Sequence, residues 1–426
     1  MAKTIIFAAL SLLLVGAIIV QPDASFQASL KGLTVWWNLV FPGLLPFLIL
    51  FEIMLAFGLA HGMGVLLQPL MKRLFNLPGE AVMPVVIGWL GGYPAGAEAV
   101  ASLRKRELVN RSQGQRLLAL AHMPNPLFML VIVGAGFLQK PLAGMFIAGG
   151  VWLSAIWLTL LGSIWRGNRL TESTTAHSLA DAAGAAAEEN GQRSEAPQGS
   201  LLRQASDAML QGRISDGRSL GKVLGDSVTV SVQRLMMVGG FMIMASMTAR
   251  LAEPLFAPAL KLGLSFLGPA LFEGHLGAYA AAVWELPGTD LAMVCAVIAA
   301  ALAWGGLSGV MQAGYSVSGT DLSLFPFVLH RLNHALHAFM LTLLLWHPAG
   351  ALVRLLNPNA SFPVIWDGLY YDSSSGIRFQ PEAFAASNLP SLWPYGAVIA
   401  VVLGLLALCL YWTLGRFAAS HKSYRT

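Results

Sequence analysis

Long apolar runs separated by short polar stretches dominate the chain. Residues 4–20 form the first run, and it reads as a retained first span rather than a cleaved signal, with only Lys3 before it and no clear small-residue cleavage site after Val20. Residues 35–60 form the second, with Pro42 and Pro46 inside it. In residues 62–76, Leu66, Leu67, Leu70 and Leu74 gather on one face and Lys72 and Arg73 stand near the end, the pattern of a helix lying in the membrane interface. The run 80–103 is interrupted by Gly91-Gly92-Tyr93-Pro94-Ala95-Gly96. Each of its arms is roughly ten residues, about 15 Å of helix against a hydrocarbon core of about 30 Å, so a re-entrant hairpin is expected. In residues 113–138 the string Met123-Pro124-Asn125-Pro126 falls in the middle, and two prolines remove donors and clash with the preceding turn, which breaks the helix. Residues 142–165 run uninterrupted.

A polar stretch, 166–221, follows, rich in Ala, Gly, Glu, Gln and Ser over 182–200. It reads as a flexible, partly disordered linker. The pattern then returns. Residues 222–249 are a span and 251–262 a short interfacial piece. A second hairpin is expected within 263–287, its tip at Phe272-Glu273-Gly274-His275-Leu276-Gly277. A second interrupted span covers 291–317, broken at Trp304-Gly305-Gly306-Leu307-Ser308-Gly309. Residues 322–346 cross next, a loop occupies 347–393, and the last span is 394–417. Gly92–Gly96 aligns with Glu273–Gly277, and Ala119-Leu120-Ala121 with Ala301-Leu302-Ala303, at offsets equal to within one residue. The expected division is therefore a first helix and connector over 1–34, a first repeat over 35–165, the linker, a second repeat over 222–346, the loop, and a last helix with tail over 394–426.

Composition changes the picture in one way: it fixes the solvent. Of 426 residues 56% are hydrophobic and 11% charged, against about 25% charged in a soluble domain. A soluble enzyme, a disordered chain and a nucleic-acid-binding domain are excluded, and an all-α polytopic membrane protein remains, with about eight transmembrane helices plus two re-entrant hairpins. With the N-terminus inside, most of the 26 Lys and Arg residues fall on the cytoplasmic side, Arg104-Lys105-Arg106 and the linker arginines among them, as the positive-inside bias requires. The C-terminus is then cytoplasmic too. The first hairpin enters from the cytoplasm and the second from outside, which makes the two repeats inverted, the arrangement that supports alternating access around a midplane site. Cys295 and Cys409 lie in apolar runs and imply no disulfide framework. No P-loop, HExxH or GxSxG pattern occurs, so no enzyme activity, cofactor or metal is expected.

The strings Trp36–Pro46 (WWNLVFPGLLP), Gly91–Ala97 (GGYPAGA), Asn125-Pro126-Leu127-Phe128 and Gly305–Gln312 (GGLSGVMQ), followed by Thr320-Asp321, resemble the sporulation integral membrane protein family of endospore formers, the YlbJ or SpoVV proteins. These carry a nucleoside-recognition or gate domain and are more distantly similar to concentrative nucleoside transporters. The resemblance implies two hairpins and two interrupted helices around a midplane substrate, with Glu273 matching the Glu at the second hairpin tip of those transporters. Their first hairpin carries a Gln-Thr-Glu triplet where this chain has Tyr93-Pro94-Ala95, a departure that counts against a nucleoside substrate. The resemblance also implies a role in spore formation, moving dipicolinic acid from the mother cell across the outer forespore membrane.

Dipicolinate is a planar dianion with a pyridine nitrogen, and its site needs N–H donors and positive potential. Half-helix N-termini supply both, which makes Gly92, Pro94, Gly96, Gly274, Gly277, Gly305 and Gly306 candidates, or else simply turn and packing residues. Asn125 either binds a carboxylate or the pyridine nitrogen, or satisfies carbonyls freed by Pro124 and Pro126. Ser308 and Gln312 stand at the matching place in the second half. Glu273 and His275 are functional by position, as a proton carrier or cation ligand and as a cationic donor, unless the tip reaches water. Tyr93 either stacks on a ring or anchors at the interface. His122 either donates to substrate or packs. Glu98 either faces the site or pairs with the Arg104–Arg106 cluster. Arg331 is expected to snorkel from the inner end of its span, and His334 and His337 are weak evidence for metal. The expected partners are a small-molecule substrate and the lipid bilayer, without nucleic acid; homo-oligomerisation stays open. The competing expectations are a carrier for nucleosides or another small anion, and a non-transporting scaffold for spore assembly.

Overall fold

The structure, a computed structural model, describes residues 2–167, 200–284 and 289–356. Every regular element among the described residues is a helix. Four of them are long and apolar enough to cross a membrane: Pro22–Ala56, Pro141–Ser163, Leu220–Leu251 and Leu291–Ser316. A fifth is added if Leu59–Leu74 and Gly79–Gly91, bent by 115° from each other, count as one broken span. The remaining expected spans take other forms. Residues 2–20 are a helix. Residues 113–138 are two short helical pieces, Arg111–Ala121 and Phe128–Phe137. Residues 324–356 form one helix that carries Arg331, His334 and His337. The expected last span, 394–417, lies outside the described residues.

Three boundaries differ from the sequence reading. The connector before residue 35 is helical from Pro22 onward and runs straight into the second span. Pro22 sits in the first turn, where a missing N–H costs nothing, and no further proline stands between Asp23 and Val35. The turn Trp36–Val40, before Pro42, widens to π geometry, the kind of adjustment membrane helices make around prolines. Second, the linker is not irregular throughout: Leu201–Asp216 is a helix whose cap, Ser200, accepts from Arg203 N–H. It lies against Leu59–Leu74, and Gly62 and Gly212 let the two backbones approach, Gly212 lying beside His61 and Gly62 beside Met209. Third, residues 347–356, expected to begin the outer loop, continue the helix Leu324–Leu356; the rest of that loop lies outside the described residues.

The helix Leu291–Ser316 is the most enclosed of the candidate spans, with 78% of its apolar window buried against 33–50% for the other three. It therefore forms the centre. Around it one apolar cluster joins Trp36, Met129, Ile147, Met242 and Leu302, and a second joins Met71, Val82, Val100, Leu118 and Phe327. Trp36 shows how sequence becomes packing here: its ring fills the slot left by Gly239, and its Nε1–H donates to Leu235 O at 2.9 Å. That bond satisfies a polar atom that would otherwise be stranded in hydrocarbon.

Candidate functional site

Two pairs of short helices and two interrupted helices stand at the positions where hairpins and helix breaks were expected. The first hairpin is Val82–Gly91 and Ala95–Lys105, and the second is Leu267–Phe272 and Gly274–Ala282. The first broken helix ends at Ala121 and resumes with π geometry at Phe128; the second ends at Trp304 and resumes at Gly306. Gly92 has φ +79°, and Gly305 and Gly306 have φ +78° and +75°, a backbone region open mainly to glycine. These are the positions where the chain reverses or breaks.

The tips meet the breaks. A Cβ at Gly92 would stand 2.9 Å from Asn125 Cβ, so the first tip touches the first break. A Cβ at Gly306 would stand 2.5 Å from Glu273 Cα, so the second tip touches the second break. A Cβ at Gly274 would stand 3.0 Å from Gly305 Cα and 3.2 Å from the Tyr93 hydroxyl, which joins the two pairs into one cluster. Gly96 and Gly277 do something different. Gly96 lies on the Ala121 carbonyl and Gly277 on Ala270, so both serve close backbone packing. Pro94 caps the second arm of the first hairpin.

The side chains at this meeting point are aromatic and polar. Tyr93 stacks on His122 with centroids 4.9 Å apart and an interplanar angle of 17°. His275 lies 5.6 Å from the Tyr93 ring and edge-on to Phe128 at 4.3 Å. Tyr93 is thus buried in the cluster and is not an interfacial anchor. Glu273 is 1% exposed. One of its oxygens accepts from Leu276 N–H at 2.6 Å, and the other pairs with His275 Nδ1 at 2.7 Å. The carboxylate thereby caps the second arm of its own hairpin, where an anion meets the positive helix end. Asn125 Oδ1 accepts from Leu127 N–H at 2.8 Å, and its Nδ2 donates to Leu90 O at 3.1 Å. Its amide therefore fastens the resumed helix to the end of the hairpin's first arm.

Several buried polar atoms stay unmatched. Tyr93 Oη, both ring nitrogens of His122, Ser308 Oγ and Gln312 Oε1 are buried with no hydrogen-bond partner among the described residues. His122 Nε2 faces the open side of Gly309, 3.5 Å from where a Cβ would be. An unmet polar atom in the interior costs about 1–3 kcal/mol, so each of these atoms calls for a partner that the described residues do not supply.

Arg331 corrects the sequence reading most. It does not snorkel; it is 0% exposed. Its guanidinium donates to His122 O at 2.7 Å, and at 3.4 Å to both Trp304 O and Leu302 O. Glu98 does not pair with the Arg104–Arg106 cluster: its ion-pair partner among the described residues is Arg234, at 3.9 Å, and Arg234 forms a closer ion pair with Glu52. Arg104 pairs with Asp321 at 2.8 Å and 3.0 Å. His334 Nε2–H donates to Val151 O at 2.9 Å and His337 Nδ1–H to Asn333 O at 2.8 Å, and no metal-holding group of His, Cys, Asp and Glu occurs among the described residues. The sequence signal for Arg331 and Arg234 was present in their charge within apolar spans; which way each pointed was not.

One hollow reaches the cluster, and a second, larger one lies beside Glu98. A cavity of about 30 Å³ is lined by Tyr93, Asn125, His275, Arg234, Leu44 and Val238, room for a water or two. An open cleft of about 640 Å³ is lined by Glu98, Ser102, Lys105, Arg106, Tyr315 and Ser316, a size typical of small-molecule sites. The Glu98–Arg234 contact joins a wall of one to a wall of the other.

Residues 39–141, which hold the first tip and the first break, match the model of the Gate family, described as nucleoside recognition. The chain is also similar to the sporulation integral membrane protein YlbJ of Bacillus subtilis (strain 168), 33% identical over 362 residues that cover 81% of this chain and 83% of the relative. Similarity at that level, spread over most of both chains, places this integral membrane protein in the YlbJ family of sporulation integral membrane proteins.

Proposed function

We propose that the protein is a carrier that moves a small planar anion, dipicolinic acid, across the outer forespore membrane from the mother cell. The observation that carries this reading is the meeting of both hairpin tips and both breaks around the buried, unpartnered polar atoms of Tyr93 and His122, with Ser308 and Gln312, also unpartnered, on the helix that follows the second break. A scaffold has no use for such atoms, and a ligand does. Arg331 places a guanidinium beside His122, at the two breaks. A cation and spare hydrogen-bonding groups suit an anion with a ring nitrogen. Tyr93 and His122, now stacked on each other, are rings between or beside which a planar substrate would stack once the tips part.

In this conformation the inner cavity, about 30 Å³, is too small for such a cargo, whereas the cleft beside Glu98 and Lys105 is large enough. The substrate enters the cleft, and the hairpins part to admit it. The two inverted repeats, 35–165 and 222–346, then move relative to each other so that the site opens to the other side. Both termini and the linker face the cytoplasm, as the distribution of Lys and Arg suggests.

A second reading has its own support: the Gate match over residues 39–141 favours a nucleoside. Uptake of labelled dipicolinate into proteoliposomes, with uridine as competitor, separates the two. Saturable uptake that uridine leaves unchanged is expected, with loss in Glu273→Ala and a large reduction in Tyr93→Phe, which removes only an unpartnered hydroxyl. Competition by uridine would move the nucleoside to first place. No entry of either compound under proton, sodium or calcium gradients would overturn the carrier reading in favour of a scaffold.

A further inference from the structure

Arg331 is a buried cation that forms no ion pair among the described residues. Glu273, the buried carboxylate of the cluster, is already committed to Leu276 N–H and His275. What Arg331 faces instead is backbone carbonyls, and their positions are particular. His122 is the last residue of the helix Arg111–Ala121 at its cap, and Leu302 and Trp304 belong to the last turn of Leu291–Trp304. These are the C-terminal ends of the two interrupted helices. A helix end leaves its last carbonyls without intrahelical donors and carries partial negative charge. The sequence explains why the donors are missing. The residue four after His122 is Pro126, which has no N–H. At the second break, φ of +78° and +75° at Gly305 and Gly306 turns the backbone away from the helical path.

In carriers built from broken helices, such exposed C-terminal carbonyls are where a coupling cation is held. Here a side chain already fills that place. We propose that Arg331 is a built-in cation that caps both broken helices at once, so that this point takes no alkali ion from solution, and that the carbonyls of His122, Leu302 and Trp304 would hold a guanidinium or alkali cation if Arg331 were removed. Arg331 is then a positioning residue, which fixes the two breaks relative to each other from the helix Leu324–Leu356. Its fork shape matters, since one guanidinium reaches carbonyls on two helices where a single ammonium would reach fewer. The inference deepens the carrier reading, but its test does not use transport, so the two can fail separately.

The test is thermal unfolding of the purified full chain in detergent, followed by tryptophan fluorescence, in choline, sodium, potassium or methylguanidinium chloride at one ionic strength. The wild type is expected to melt at the same temperature in sodium, potassium and choline. Arg331→Ala is expected to melt well below it in choline and to recover part of the loss in millimolar methylguanidinium. Arg331→Lys, which keeps the charge and loses the fork, is expected to fall between them. If Arg331→Ala is obtained folded only when methylguanidinium is present throughout purification, that is the same rescue. The proposal is overturned if Arg331→Ala responds to these cations no more than the wild type does. It is overturned equally if the wild type needs sodium or potassium over choline for its stability, or if neither the additive nor Arg331→Lys restores folding.

Discussion

Replacing Gly306 by Ala tests the contact between the second hairpin tip and the second break. Two separate costs arise. Gly306 has φ +75°, and a side chain in that left-handed region costs about 1–2 kcal/mol. The new methyl would also stand 2.5 Å from Glu273 Cα, 2.6 Å from Glu273 N and 2.7 Å from Phe272 O. All three are backbone atoms, so no rotamer change relieves the overlap, and the tip must be pushed away at a further cost of about 1–3 kcal/mol. The expected loss is about 2–5 kcal/mol. Gly309, one turn along the same helix, is the control. A Cβ there meets only His122 Nε2, at an ordinary 3.5 Å, and Ala in a helix interior is worth about 0.5–1 kcal/mol over Gly. Gly309→Ala should therefore melt at or slightly above the wild type, yet lose uptake, because its methyl covers the ring nitrogen of His122. Parallel thermal melts and uptake assays on the two variants give the comparison. Equal melting of Gly306→Ala and wild type would refute the contact between tip and break; destabilisation by Gly309→Ala as large as that by Gly306→Ala would refute the claim that only one of these glycines sits against backbone.

Three further outcomes follow from other contacts. Arg234 and Glu52 are an ion pair with side chains 18% and 17% exposed, so Glu52→Gln alone should cost up to about 3 kcal/mol by leaving the cation with only its longer contact to Glu98, and adding Arg234→Gln should recover part of it; a double-mutant cycle with additive losses would contradict the pairing. The Arg104 guanidinium, by its hydrogen bonds, holds the Asp321 carboxyl below its usual range. The stabilisation from this exposed pair is therefore present above the ordinary aspartate value and disappears as pH falls through the lowered one. Melting curves of wild type and Asp321→Asn should accordingly differ slightly near neutral pH and converge in acid, and a gap that widens in acid would reverse the assignment. Gly62→Leu should drive Leu201–Asp216 off Leu59–Leu74, because Gly62 lies against the Met209 side chain; limited proteolysis should then cut within 201–216, and continued protection there would mean that the helix is held by something else.

The sequence alone determined the class of protein and the places where its helices fail. Apolar run length sets whether a helix can cross, and Gly92, Pro124, Pro126, Gly305 and Gly306 act locally, through missing N–H groups and a backbone region closed to other residues. Such effects do not depend on distant neighbours, so the turns and both helix interruptions were legible at their positions. The helix Leu201–Asp216 was not, because its support comes from Gly58, Gly62 and Met209, contacts separated widely along the chain. Only the tertiary structure decided which tip meets which break, and which atoms were left over. Arg331 shows why. In sequence it is a cation near a span end, for which snorkelling is the ordinary outcome. Its burial depends on two sets of carbonyls, from helices far apart in the chain, that the breaks leave without donors at one point in space. Glu273 and Asn125 were recognised by type and position, but their bonds to Leu276 and Leu127 depend on how each tip closes on itself and on its neighbour. Local stereochemistry fixed where the backbone opens its polar groups. Long-range packing fixed what those groups face.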